Sequence, residues 1–173
     1  MIFQPHTIRP FAASLSVLVR ACVVSTLLFS SAAQSSSVES KLKDIKGAAT
    51  NSITSLVPLD ETTFLIESDV VGQLTYFGKF TGNFSYVAVM ASTTIRLTGT
   101  ATFINHKGDK LFLAADIVEH GDTNPYVVEG TLTVTGGTGE YADATGSIDV
   151  SGFDDEESLT DTLELRGSLA VVK

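Results

Sequence analysis

Tryptophan is absent from the chain, and cysteine occurs only once, at Cys22 inside an apolar N-terminal segment. Beyond that segment the sequence offers neither a disulfide nor thiol chemistry. Only two histidines follow it, His106 and His120, each close to a glycine in a predicted turn. A zinc site needs further ligands at matching spacing, and nucleophilic catalysis needs histidine near serine or aspartate. We therefore expect no metal and no cofactor.

Basic residues are also scarce, with 11 Lys and Arg against 20 Asp and Glu and a formal charge of −9. A nucleic-acid partner needs a basic face to neutralise phosphates, so this class of partner is excluded. The same balance disfavours binding to anionic membranes. The length of 173 residues suits one domain of ordinary size.

Residues 1–33 have the pattern of a secretory signal peptide, with an apolar run at 21–29 followed by small residues at Ser31 and Ala33. We expect cleavage after Ala33 and a secreted protein, extracellular or periplasmic. Arg20 divides the apolar stretch into pieces too short to span a bilayer, which makes a membrane anchor the weaker alternative. Loss of Arg9 and Arg20 leaves nine Lys and Arg against 20 acids, a formal charge of −11, with no stable membrane association.

Residues 34–58 are rich in serine, and Val38, Leu42 and Ile45 have helical spacing before Gly47. This pattern predicts a spacer or a short helix. The domain proper is predicted at residues 59–173.

From residue 59 onward, apolar and polar residues alternate with period two between clusters of Gly, Asn and Asp, which is typical of antiparallel strands. About eight strands are predicted. They fall at 62–68, within 72–90 (two strands), and at 95–103, 110–118, 129–134, 147–151 and 162–171. The acidic run at 154–157 is interpreted as a solvated turn, and a calcium site there is the weaker alternative.

Short turns leave no room for crossover helices, so the strands pair in sequence and antiparallel. We predict an all-β fold, an eight-stranded antiparallel closed β-barrel of calycin-like form, because inward glycines let the strands coil and closure removes exposed edges. A β-sandwich is the alternative. An eight-stranded barrel holds either packed side chains or one small ligand.

The stretch 130–152 contains a Gly-Gly-Thr-Gly element followed by an aromatic residue and a further glycine, which resembles the allene oxide cyclase-like and dirigent-like barrel proteins. The residues that carry it are Gly136, Gly137, Thr138, Gly139, Tyr141 and Gly146. Segments 72–82 and 108–112 resemble small secreted bacterial members of that group. The resemblance implies an eight-stranded barrel with a central apolar cavity, and dimers or trimers.

The cyclases of that group use a pocket carboxylate, and dirigent proteins orient radical pairs with pocket acids. Alternation places Asp149, Glu129 and Glu164 on the outward face of their strands. Glu67 is the one acid near the first predicted strand that could face inward, and it is the only catalytic candidate. The resemblance therefore leaves enzymatic activity open, as a cyclase or isomerase without a cofactor.

Aromatic and apolar residues recur on one face of the second and third predicted strands, and they are the candidate ligand-binding residues. They are Tyr76, Phe80, Phe84, Tyr86 and Met90. Plain barrel core is the other interpretation of this stripe. Three hypotheses follow: a barrel that binds a hydrophobic small molecule of lipid or phenolic type, a cyclase or isomerase, and a structural or surface-interaction protein with a filled barrel.

Overall fold

A computed structural model describes residues 40–172 of the chain, which form eight strands and one 3₁₀ turn, Gly139–Tyr141. The strands are β1 (Ser40–Pro58), β2 (Thr63–Leu74), β3 (Gly78–Ala91), β4 (Thr94–Asn105), β5 (Lys110–His120), β6 (Tyr126–Gly137), β7 (Thr145–Asp155) and β8 (Thr160–Val172). The predicted signal peptide lies outside the described residues. No helix within 40–172 is long and apolar enough to cross a membrane.

Each strand pairs antiparallel with the next, and β1 pairs with β8, so the sheet closes into a barrel. The predicted all-β, eight-stranded antiparallel closed barrel is confirmed, and the sandwich alternative is excluded. Closure leaves the barrel without an edge strand.

The first strand corrects the predicted domain boundary. β1 occupies most of the segment predicted as a spacer or short helix, and it pairs with both β2 and β8. Leu42 and Ile45 do not share a helical face: Leu42 is 65% exposed and Ile45 is 1% exposed. The barrel therefore includes residues from Ser40 onward. The predicted total of about eight strands is still reached. Residues 63–91 form two strands where three were predicted, and β1 is the additional strand.

The core consists of the side chains that point into the barrel, which are every second residue along each strand. β5 shows it clearly, since Leu111, Leu113 and Ile117 are buried while Phe112 and Asp116 face outward. Such a regular pleat places every second side chain inside the barrel.

Glycine on the inward face allows neighbouring strands to approach closely. A Cβ at Gly99 would overlap the carbonyl oxygen of Ser85 on β3. Strong coiling at this point therefore depends on the absence of a side chain.

The two ends of the barrel differ. The turns at 75–77 and 106–109, and the connection 138–144, meet at one end, which we call the plugged end. The turns at 59–62, 92–93, 121–125 and 156–159 meet at the other, which we call the open end.

Candidate functional site

A column of aromatic rings fills the barrel from the plugged end inward. Phe77, in the turn after β2, packs edge-on against Tyr141 with ring centroids 5.0 Å apart. The Tyr141 hydroxyl donates a 3.0 Å hydrogen bond to the Tyr76 carbonyl oxygen, which ties the 3₁₀ turn over the barrel end. These contacts close this end with apolar rings.

The column continues along the barrel axis through stacked and tilted pairs. Phe80 stacks on Phe103 at 4.3 Å, and Phe103 meets Phe84 edge-on at 5.7 Å. Phe84 stacks on Tyr86 at 5.0 Å, and Tyr86 is the last ring toward the open end. This half of the interior is filled by side chains.

The open end instead contains a cavity of about 360 Å³, which we call the mouth pocket. Most of its lining is apolar, and its acidic residues are Glu119, Asp154 and Glu156. The apolar lining residues are Ile53, Leu56, Phe64, Ile66, Ala88, Met90, Ile95 and Leu159. A pocket of this size and composition lies in the range of small-molecule sites.

Three inward-facing acids, Glu119, Asp154 and Asp161, form what we call the acid cluster, between the mouth pocket and Tyr86. Asp154 on β7 lies directly opposite Asp161 on β8, and Asp161 lies opposite Asn51 on β1. The Asn51 Nδ2 group donates a 2.8 Å hydrogen bond to Asp161 Oδ2. All four side chains are at least nine-tenths buried.

Burial makes these carboxyl groups unusually basic. It raises the pKa of Glu119 to about 8, and repulsion from Asp154, Asp161 and Glu156 adds to the effect. Burial likewise raises the pKa of Asp154 to about 7, with a hydrogen bond to Asp161 as the second cause. The pKa of Asp161 is raised by burial, although the Asn51 hydrogen bond opposes the shift. At neutral pH, therefore, Glu119 retains its proton most of the time.

Tyr86 connects the aromatic column to the acid cluster. Its ring is buried against Phe84, and its hydroxyl group interacts electrostatically with Asp161 and Glu119. Burial first, and then these two carboxyl groups, raise the pKa of Tyr86 well above its usual value. The Tyr86 hydroxyl thus stays neutral and can donate or accept a hydrogen bond.

The five predicted ligand-binding residues do not share one surface. Met90 lines the mouth pocket. Phe80, Phe84 and Tyr86 are buried in the aromatic column. Tyr76 is not on the inner face: it is 64% exposed in the turn after β2, with a positive φ of 68° and Lys43 over its ring.

Glu67 faces away from the interior, which corrects the expectation that it could point inward. It lies between Ile66, which lines the mouth pocket, and the buried Ser68, so the pleat turns its side chain outward. There its Oε1 accepts a 2.7 Å hydrogen bond from the Ser85 hydroxyl across the strand pair. The inward acids belong to β5, β7 and β8 instead.

The sequence contained a signal for these acids. Glu119 follows Leu113, Ala115 and Ile117 in the same phase. Asp154 continues the phase of Ile148 and Val150, and Asp161 precedes Leu163 and Leu165 in theirs. The predicted strands stopped one to three residues short of the acids, and the run 154–157 was interpreted as a solvated turn. In fact Asp154 is 6% exposed, whereas Glu156 and Glu157 are exposed.

The glycine element lies at the plugged end, far along the strands from the acid cluster. Gly136, Gly139 and Gly146 have φ angles of 141°, 58° and 157°, which glycine adopts readily. Gly137 ends β6, Thr138 precedes the 3₁₀ turn, and Tyr141 is the ring that covers Phe77. These residues shape the plug.

A larger groove of about 670 Å³ lies on the outer face of β1 to β4. Exposed side chains such as Thr50, Val71 and Lys79 line most of it. It is an open surface without a buried titratable group, so the mouth pocket is the stronger candidate site. Within residues 40–172, no group of three His, Cys, Asp or Glu side chains is placed to hold a metal ion.

Fold and site together define a closed eight-stranded antiparallel barrel. Aromatic rings close one end, and a pocket next to the acid cluster lies at the other. The sequence matches no protein-family model and no curated protein.

Among solved structures it is similar to the pterocarpan synthase dirigent protein GePTS1, with a TM-score of 0.50 and 14% identity over 91% of this chain and 100% of that chain. It also matches a protein of unknown function from Clostridium acetobutylicum, with a TM-score of 0.43 and 9% identity over 76% of this chain and 97% of that one. The chain has the barrel fold of dirigent and allene oxide cyclase-like proteins, as the resemblance implied.

Proposed function

We propose that the protein binds a hydrophobic small molecule in the mouth pocket, with the apolar body of the ligand against β2, β3 and β4 and a polar group directed at the acid cluster. The observation that carries the proposal is the Glu119 carboxyl group. It lines an apolar cavity, is 8% exposed, and receives no hydrogen bond from residues 40–172. Beside it in the pocket lining, Asp154 Oδ1 is fully buried and has no hydrogen-bond partner within residues 40–172. Buried polar groups without a partner are rare in proteins, and a ligand would supply the missing one.

The apolar lining supports the same proposal. Phe64, Ile66 and Ile95 are only partly buried although they pack against the core, and Met90 is 44% exposed. Apolar side chains that surround a cavity at one barrel end gain burial when a ligand fills it.

A neutral fluorescent dye such as Nile red tests this proposal, because its fluorescence rises in an apolar site and it does not depend on charge. We expect saturable binding to the wild type and strong loss of binding in Ala88→Phe, which fills the pocket. Val87→Phe is the matched control, since Val87 is the neighbouring residue on the outer face and is 37% exposed. Thermal unfolding establishes that both variants fold. Equal dye binding by the two variants would contradict the proposal.

A second candidate function is cofactor-free cyclisation or isomerisation of a bound substrate. Glu119 favours it, because a protonated carboxyl group facing an apolar cavity can act as a general acid at neutral pH. The structural relative is itself a pterocarpan synthase.

The test of this second function is the cyclisation of 2′-hydroxychalcone to flavanone, a redox-neutral isomerisation that creates one stereocentre, with and without the protein. Optically active product with the wild type and racemic product with Glu119→Gln would support it. Racemic product in both cases would leave binding alone.

We propose further that the protein acts after secretion. The support is the sequence pattern of residues 1–33, together with a barrel that begins at Ser40, beyond the expected cleavage site. N-terminal sequencing of protein recovered from outside the cytoplasm tests it: a start at Gln34 is expected, and a retained Met1 would overturn it.

A further inference from the structure

The charges of the barrel are sorted between its two ends. All six lysines of residues 40–172 lie toward the plugged end: Lys41, Lys43, Lys46, Lys79, Lys107 and Lys110. The two arginines of this part of the chain are paired on the outer face, Arg96 with Asp116 at 2.8 Å and Arg166 with Glu164 at 3.0 Å. Neither arginine faces the mouth pocket.

The open end, by contrast, is acidic on every turn but one. Six acids surround the mouth in turns and at strand ends, in addition to the acid cluster inside. They are Asp60, Glu61, Asp122, Asp155, Glu156 and Glu157. His120, the last residue of β5, also lies at this end, and its side chain lies in the outward phase next to Glu119. A cation that approaches this end meets an attractive field, and an anion meets a repulsive one.

In the part of the chain that the structure describes, the lining of the mouth pocket likewise contains acidic side chains and no basic ones. Glu119, Asp154 and Glu156 line the cavity, and Asp161 lies behind Asp154. Within residues 40–172 the Asn51 amide is the only side-chain donor from outside the cluster that hydrogen-bonds to it, and its partner is Asp161. No N–H or hydroxyl group of the described chain donates to Asp154 Oδ1. Buried carboxylates are costly unless they are paired with a positive charge.

We infer that the ligand of the mouth pocket is an amphiphile with a primary ammonium group, and that this group binds between Glu119 and Asp154. The inference rests on the proposed function and names the class of ligand. An ammonium group has three donors, and three carboxyl groups line the cavity. The same charges exclude fatty acids and other carboxylates, since nothing in the described pocket would neutralise them. A neutral hydroxyl group could accept a hydrogen bond from protonated Glu119, but it would offer no positive charge to ionised Asp154 or Glu156.

Three naphthalene probes of the same size separate these ligand classes: 1-naphthylmethylamine, 1-naphthylmethanol and 1-naphthoate. Binding is measured by isothermal titration calorimetry near neutral pH and moderate salt. We expect the amine to bind at least about tenfold more tightly than the alcohol, and no binding of the carboxylate.

The double variant Glu119→Gln/Asp154→Asn should bring the amine and the alcohol to within about twofold of each other. The matched control, Glu129→Gln/Asp149→Asn, removes the same two charges from the outer faces of β6 and β7, where both residues are exposed. It should keep the preference, which excludes general attraction of a cation to an acidic protein.

The outcomes separate the two proposals. If the alcohol binds as tightly as the amine while Ala88→Phe abolishes both, the ammonium inference is overturned and the binding function stands. If the amine preference survives in Glu119→Gln/Asp154→Asn, the ammonium inference is also overturned. If Nile red and all three probes fail to bind folded protein, the binding function itself is overturned.

Discussion

The plugged end and the open end are built from the same inward phase of the same eight strands, but they are completed differently. At the plugged end, Phe77 and Tyr141 cover the column and bury almost nothing polar. At the open end the phase continues into Glu119, Asp154 and Asp161, whose burial is costly without a counter-charge. The difference indicates that the plug stabilises the barrel, whereas the acid cluster reduces stability at the end where we propose that a ligand binds.

The largest effect is expected when the plug is broken. Phe77→Ala removes a ring that is 2% exposed and touches both Tyr141 and Phe80, so we expect a loss of about 3–5 kcal/mol in the free energy of unfolding. Urea denaturation followed by circular dichroism measures it. The control is the exposed neighbour, Tyr76→Ala, which should cost under about 1 kcal/mol. Similar costs for the two variants would mean that the plug does not stabilise the barrel.

At the acid cluster, by contrast, we expect a substitution to raise the free energy of unfolding. The pKa of Glu119 is about 8 in the folded protein and about 4.3 in an unfolded chain. Between these values the folded state binds more protons, so the stability of the wild type should fall as the pH rises from about 4 to about 8. Glu119→Gln should flatten this slope and gain roughly 1–3 kcal/mol near pH 8, but little near pH 4.

Glu129→Gln, on the outer face of β6, provides the comparison for this pH series. It should leave the slope unchanged, because Glu129 is exposed. A stability profile for Glu119→Gln that follows that of the wild type would show that Glu119 is not buried as a carboxyl group.

The next test of the difference between the two ends is the hydrogen bond that the Asn51 amide donates to the acid cluster. Asn51→Ala removes the 2.8 Å bond to Asp161, the only hydrogen bond that this carboxylate receives from a neutral side-chain amide, so we expect a loss of about 1–3 kcal/mol above neutral pH. The loss should shrink at acid pH, where Asp161 is protonated. Asn83→Ala, an exposed position on β3, should cost less than about 0.5 kcal/mol. Urea denaturation at two pH values measures these losses. An equal loss at both pH values would show that the ionised Asp161 carboxylate is not the reason for it.

The smallest effect is expected at the hydroxyl group that ties the plug. Tyr141→Phe keeps the ring over Phe77 and removes only the 3.0 Å hydrogen bond to the Tyr76 carbonyl oxygen. We expect a loss of about 0.5–1.5 kcal/mol, measured as a lower melting temperature. Tyr126→Phe at the open end serves as the control and should leave the melting temperature unchanged. A larger loss than in Phe77→Ala would mean that the hydrogen bond, and not the ring, holds the plug.

Most of the barrel was predictable because period-two alternation survives in each strand from β2 to β8. β1 was not, because its serine-rich start and the spacing of Leu42 and Ile45 are compatible with a short helix. Its pairing with both β2 and β8 decides its conformation, and these partners lie far along the chain. Local propensity is a weak guide to a strand whose hydrogen bonds are all non-local.

The candidate site was predictable only in part. Met90 and the aromatic residues Phe80, Phe84 and Tyr86 were identified as inward-facing from their phase in the sequence. That three of them stack into a filled column while Met90 borders a cavity depends on Phe103 and Phe77, which come from other elements. The phase of Glu119 was also present in the sequence, but a carboxyl group at a strand end is usually solvated.

By itself the sequence determined which residues face inward in the middle of strands such as β3 and β5, because the pleat alternates regardless of the partners of a strand. It did not do so for Tyr76, which lies in a turn, or for Glu67. It also determined the acidic balance and the absence of thiol chemistry beyond Cys22. Only the tertiary structure decided that β1 closes the barrel, that aromatic rings fill one end, and that three acids from β5, β7 and β8 meet at the other. The physical reason is that burial and pKa shifts arise from groups brought together across the barrel, and their separation along the chain does not show that they will meet.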